Sequence, residues 1–143
     1  WELMLVASSI LILLWGEGEQ RGPIALKYFI FTHLGSLLVL VGLIALYDAT
    51  GTDSFSALRA GVALSPGLTR MVIGLFLVGF SVKMAVFPVH LWLPDAHTVA
   101  PMPVTIMLAA AMLSMGTYGI LRFPLSIFTR AEVASFALPM MIA

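Results

Sequence analysis

Charged residues punctuate this chain, and between them lie five apolar stretches of helical length. Residues 1–16 are apolar apart from Glu2, and residues 28–47 carry His33 as their titratable group, with Lys27 at the entry. Residues 70–87 contain Lys83, residues 103–121 lack formal charge and run into Arg122, and residues 132–143 open on Glu132. At ~1.5 Å per residue, runs of this length suit a ~30 Å hydrocarbon layer. The pattern predicts an all-α polytopic membrane protein, a transmembrane helix bundle. Between the second and third stretches, Gly51, Asp53, Arg59, Gly61, Pro66 and Gly67 give residues 48–69 the composition of an exposed connection. The chain begins without Met and stops inside an apolar run, so it reads as an interior fragment of one transmembrane domain, with its first and last spans truncated. The first stretch is not a secretory signal, because it follows an acidic residue and runs into GEGEQRG without a small-residue cleavage site.

The third stretch departs from a simple span. Counted from Arg70, Lys83 lies ~20 Å along a helix, past the middle of the hydrocarbon, where its stem cannot easily reach water. Pro88 has no N–H for the Met84 carbonyl and crowds it, so the helix should break just beyond the lysine. Pro94, Pro101 and Pro103 follow, and the backbone is expected to continue irregularly to residue 102. Backbone freed at membrane depth survives only where protein or water satisfies it. A discontinuous helix near Lys83 and Pro88, lining a hydrated cavity, is therefore expected, as half of an inverted repeat of the transporter kind.

Composition narrows the function. Hydrophobic residues make up 61% of the chain and charged residues 10%, far from the quarter typical of soluble domains. Seven basic and seven acidic side chains give zero net charge, which offers no footprint for nucleic acid. With no cysteine, the chain has no thiolate for a metal or iron–sulfur cluster, so redox chemistry belongs to partners. Gly16, Gly18 and Gly22 lack the spacing of a nucleotide-binding loop. Arg21 and Lys27 stand against Arg59, Arg70, Arg122 and Arg130 across the membrane, a balance that does not fix orientation.

A lysine within a span costs ~2.5–3.5 kcal/mol to insert, so it calls for a partner or a purpose. Glu2 is the acidic candidate. Burial and pairing act in opposite senses on the protonation of both groups, so a pair that opens and closes is a proton switch. The plainer alternative is a static salt bridge that fixes helix packing. His33 could pass protons near neutral pH, or be a satisfied core residue. His90 and His97 flank Pro94 and Asp95, but no third ligand stands at metal-binding spacing, so no metal is expected. Asp95 is expected to cap a short helix or to hold irregular backbone, and the nine methionines to fill the core.

The run VGFSVKMAVFPVHLWLPDAHTVAPMPVTIMLAAAMLSMGTYGILRF, residues 78–123, resembles the signature segment of the antiporter-like subunits of respiratory complex I, and is nearest to the chain 4 or M type. WELMLVASSILILLWG resembles the glutamate-bearing fifth helix of that family, and GTDSF its following connection. The resemblance implies that Glu2 and Lys83 are the glutamate and lysine that drive proton transfer in a half-channel. It also places residues 17–27 on the cytoplasmic side. His33, His90 and Ser114 are further candidates for the proton path. Family members carry a lysine in the eighth helix, in a sequence like LLKMGTYG, where this chain has MLSMGTYG with Ser114 in its place.

The implied activity is proton translocation coupled to NADH:quinone electron transfer, as a membrane subunit of the oxidoreductase with no redox centre of its own. Quinone, flavin and iron–sulfur clusters belong to partner subunits. The expected partners are the other membrane subunits of complex I and the lipid bilayer, and the expected location is the bacterial plasma membrane, with an organellar inner membrane as the alternative. The departure at Ser114 keeps two relatives in view, an Mrp-type cation/proton antiporter and a membrane-bound hydrogenase, beside a non-pumping structural subunit.

Overall fold

The computed structural model describes residues 2–60, 64–129 and 132–134, and all regular structure among them is helical. The elements in chain order are α1 (Glu2–Trp15), α2 (Arg21–Thr50), α3 (Phe55–Arg59), α4 (Pro66–Met84), α5 (Leu93–Val99), α6 (Met102–Met107), a π-helical turn (Leu108–Met112), α7 (Leu113–Arg122) and α8 (Pro124–Ile127). Among the described residues, three helical columns, Arg21–Thr50, Pro66–Met84 and Met102–Ile127, are long and apolar enough to cross a membrane, and α1 is a shorter apolar helix. Most of the fifth expected span, 132–143, lies outside the described residues.

Helix α1 buries Leu5, Ser8 and Ile12, one stripe at helical spacing, and turns this face to α2. The connection after it is shorter than expected from the charges. Helix α2 begins at Arg21, because Arg21 and Lys27 sit on a helical turn that extends the apolar run, and its 30 residues end at Gly51 with φ 65°. At ~1.5 Å per residue it is ~45 Å long, more than a hydrocarbon layer, so it tilts or projects. His33 consequently lies more than three turns into its helix, deeper than the one and a half turns implied by a start at Tyr28.

Helix α4 is the central one, packed between α2 and α7. It starts ahead of Arg70, where the Ser65 hydroxyl accepts the Leu68 N–H at 3.4 Å and Pro66 fits the first turn. Small residues set its contact with α2. A Cβ at Gly79 would come within 2.6 Å of the Gly35 carbonyl, and one at Gly35 within 2.8 Å of the Val82 side chain. Without a hydrophobic drive between helices in lipid, this close approach is what gives the contact its dispersion energy. Gly116 of α7 likewise admits Met84 and the Phe80 carbonyl.

The break comes where Pro88 puts it, and its form is specific. Helix α4 ends at Met84, Ala85 turns to φ 54°, ψ 47°, and the Val86 N–H reaches back to the Ser81 carbonyl at 3.0 Å. This closure matches a left-handed helix stop. The Phe87–Pro88 peptide is cis. The stretch from 88 to 102, expected to be irregular throughout, contains the two turns of α5, because Pro94 suits a helix start and Ala96 and Val99 find a core to enter.

Candidate functional site

Lys83 sits in the last turn of α4 and is 1% exposed. A helix that stops inside the bundle aims its carbonyl ends at this point, a favourable environment for a cation. Glu2, in the first turn of α1, interacts electrostatically with Lys83. Its nearest titratable neighbour is a different group, since the His33 Nδ1 lies 2.8 Å from Glu2 Oε2. The imidazole stacks on Phe29 at 5.5 Å, and the Ser36 hydroxyl, also beside Glu2, donates to the His33 carbonyl at 2.9 Å.

Glu2 and His33 are half-exposed, and with Ser36, Phe80, Met115 and Tyr118 they line a cleft of about 440 Å³ between α2, α4 and α7. The arrangement has depth. A carboxylate and an imidazole meet at the cleft, and the carboxylate interacts electrostatically with a lysine buried at the broken helix. Imidazole has two nitrogens and can take a proton on one while releasing it from the other. A change of charge on Glu2 changes the proton affinity of Lys83, and the converse holds equally.

The family described as NADH:quinone oxidoreductase/Mrp antiporter, transmembrane, matches residues 1–143. The chain belongs to this antiporter family. It is 40% identical over 146 residues to NADH-quinone oxidoreductase subunit M of Escherichia coli, covering 96% of this chain and 28% of that protein. An uncharacterized protein of Mycobacterium tuberculosis is 43% identical over 127 residues, covering 89% and 19%. Among solved structures, an archaeal membrane-bound sulfane sulfur reductase, a respiratory membrane complex, contains a chain matched with TM-score 0.83 at 25% identity, over 97% of this chain and 29% of that one. The chain thus spans less than a third of the length of these relatives. As a member of a transmembrane family with three span-length apolar helices among its described residues, it is an integral membrane protein.

Two other candidates of this antiporter-family chain stand apart from the cleft. The Ser114 hydroxyl donates to the carbonyls of Ala110 and Ala111, at 2.6 and 2.9 Å, inside the π-turn of its own column. It is exposed and lies ~200° around α7 from Gly116, the residue against α4, so it faces away from Lys83. His90 follows the break with its ring 5.7 Å from Phe87, and its Nδ1 is buried with no hydrogen-bond partner among the described residues. No group of three metal-ligating side chains occurs among the described residues. Asp95 lies in the first turn of α5 but is not its cap; its carboxylate binds Lys27 Nζ at 2.6 Å.

Two buried contacts carry no signal in the sequence. The Trp92 indole N–H donates to the Val82 carbonyl at 2.9 Å, satisfying backbone freed by the break. Tyr28, fully buried, lies 5.2 Å from the Trp92 ring and shares its hydroxyl with Ser8 at 2.7 Å and the Met112 sulfur at 2.9 Å. The three apolar runs that hold Ser8, Tyr28 and Met112 each look like any span, and the polar contact arises only where the three pack together.

Proposed function

We propose that this chain forms a proton-transfer segment of an antiporter-like membrane subunit, one that moves protons across the bacterial plasma membrane while partner subunits pass electrons from NADH to quinone. Lys83 holds a proton at the broken end of α4, and Glu2 sets its proton affinity. His33 exchanges protons between Glu2 and the cleft. Flavin, iron–sulfur clusters and quinone belong to the partners. The observation that carries the reading is the placement of Lys83, 1% exposed at a helix end inside the bundle and electrostatically linked to a carboxylate that meets an imidazole at 2.8 Å. The electron-transfer half of the reading is supported by the names of relatives, NADH-quinone oxidoreductase subunit M.

One observation favours a second reading, an Mrp-type antiporter or hydrogenase subunit. Ser114 stands where the resemblance implies a lysine, and its hydroxyl is committed to its own helix. A hydroxyl can line a water chain but holds no proton at ordinary pH. The experiment is proton uptake by inverted membrane vesicles with and without the gene for the full-length protein. NADH-driven, quinone-dependent uptake that disappears on deletion and returns on complementation supports the first reading. Uptake driven by hydrogen oxidation or by a cation gradient, and lost in the same deletion, replaces it with the second.

A further inference from the structure

Helix α5 has seven residues, too few to hold a position by its own hydrogen bonds, so its place after the break is set by its ties to other elements. Trp92 at its N-terminus donates to the Val82 carbonyl, one residue before Lys83. Ala96 and Val99 enter the core beside Leu5, Ile12 and Tyr28, and the Val99 carbonyl accepts the Glu17 N–H at 2.8 Å. A further tie is ionic. Asp95 in the first turn of α5 meets Lys27 of α2 at 2.6 Å, across 68 residues of sequence. Helix α2 is also the one that carries His33 and that receives Val82 against Gly35. The ion pair therefore joins the segment after the break to the helix beside it, and Trp92 links that segment to the turn holding Lys83. Its two side chains are 43% and 44% exposed, so the pair can open without unpacking the core.

We infer that the Lys27–Asp95 ion pair is a positioning latch for Lys83: closed, it holds α5 and Trp92 so that the broken end of α4 keeps the lysine buried beside Glu2. The inference rests on the reading of Lys83 as the proton carrier. Its test uses the full-length protein in its membrane assembly, with proton translocation measured per assembled complex for Asp95→Asn, Lys27→Met, the double variant and Lys27→Arg, and with Lys83→Met alongside. Groups that act as one unit give non-additive losses. We expect Asp95→Asn and Lys27→Met each to lower translocation by about threefold or more while electron transfer continues, the double variant to be no worse than the worse single one, and Lys27→Arg to retain translocation. Unchanged translocation in Asp95→Asn, additive losses in the double variant, or a Lys27→Arg defect equal to Lys27→Met would overturn the latch. Full translocation by Lys83→Met would instead overturn the proton-carrier reading on which it stands.

Discussion

His33 touches the Glu2 carboxylate at 2.8 Å, whereas Lys83 acts on the same carboxylate through its field from a buried site, so removal of each group should have its own signature. Glu2→Gln deletes the charge that Lys83 feels and should impair proton translocation severely, while Glu2→Asp keeps the charge one methylene away and should retain part of it. His33→Gln preserves a hydrogen-bonding side chain of similar reach but not the exchangeable ring, and should slow translocation by ~10- to 100-fold. Initial rates of proton uptake in reconstituted vesicles check all three, and an unaffected Glu2→Gln would remove Glu2 from the mechanism. Lys83 and Glu2 were legible in the sequence because a formal charge in an apolar run has no other ready explanation. The Glu2–His33 contact was not, since which residues of two apolar helices meet across 31 positions is decided by packing. Ser114 shows the opposite case. Its place in a family motif suggested a relay, but the direction of its side chain follows from the turn of α7, which faces it outward.

Among the elements, α4 carries the most structural demand, and its contact with α2 depends on glycine. Gly79→Leu would drive a side chain into the Gly35 carbonyl and Val39, and should destabilise the segment by about 1–3 kcal/mol. Gly67, at the start of the same helix with nothing within 4 Å of a Cβ, is the control, and Gly67→Ala should be neutral or slightly stabilising. Detergent-dependent unfolding midpoints of the full-length protein distinguish the two; equal stability of both variants would refute the close crossing. The break after Lys83 was readable, because Pro88 removes a donor and crowds a carbonyl whatever surrounds it. The manner of stopping was not readable. Ala85 in a left-handed conformation and the Trp92 indole on the Val82 carbonyl are tertiary solutions to that break, and the π-turn over Leu108–Met112 arises in a run of leucine, alanine and methionine with no local marker. Thr129 and Glu132 are a missed local signal. The Glu132 carboxylate accepts the Thr129 N–H at 2.9 Å and the hydroxyl at 2.6 Å, and the Glu132 N–H donates back to the Thr129 hydroxyl at 3.4 Å, a reciprocal pair visible as T-x-x-E.

At the scale of the molecule, α1 and α2 pack together beside the broken helix and the segment that follows it. Core contacts tie α5 to these two helices, the ion pair fixes its first turn, and the cleft between α2, α4 and α7 gives Glu2 and His33 a way out of the bundle. The bundle and its broken helix were evident from charge spacing and proline, whereas the cleft exists only once three helices are packed. All of these features converge on one residue, and the central claim is that Lys83 carries the proton. The direct measurement is proton uptake by vesicles holding the full-length assembly with Lys83→Met, which keeps length and apolar bulk, with assembly verified in parallel. The account predicts a loss of at least ~10-fold, or ~1.4 kcal/mol in the barrier, in fully assembled protein. Undiminished uptake by Lys83→Met would contradict it.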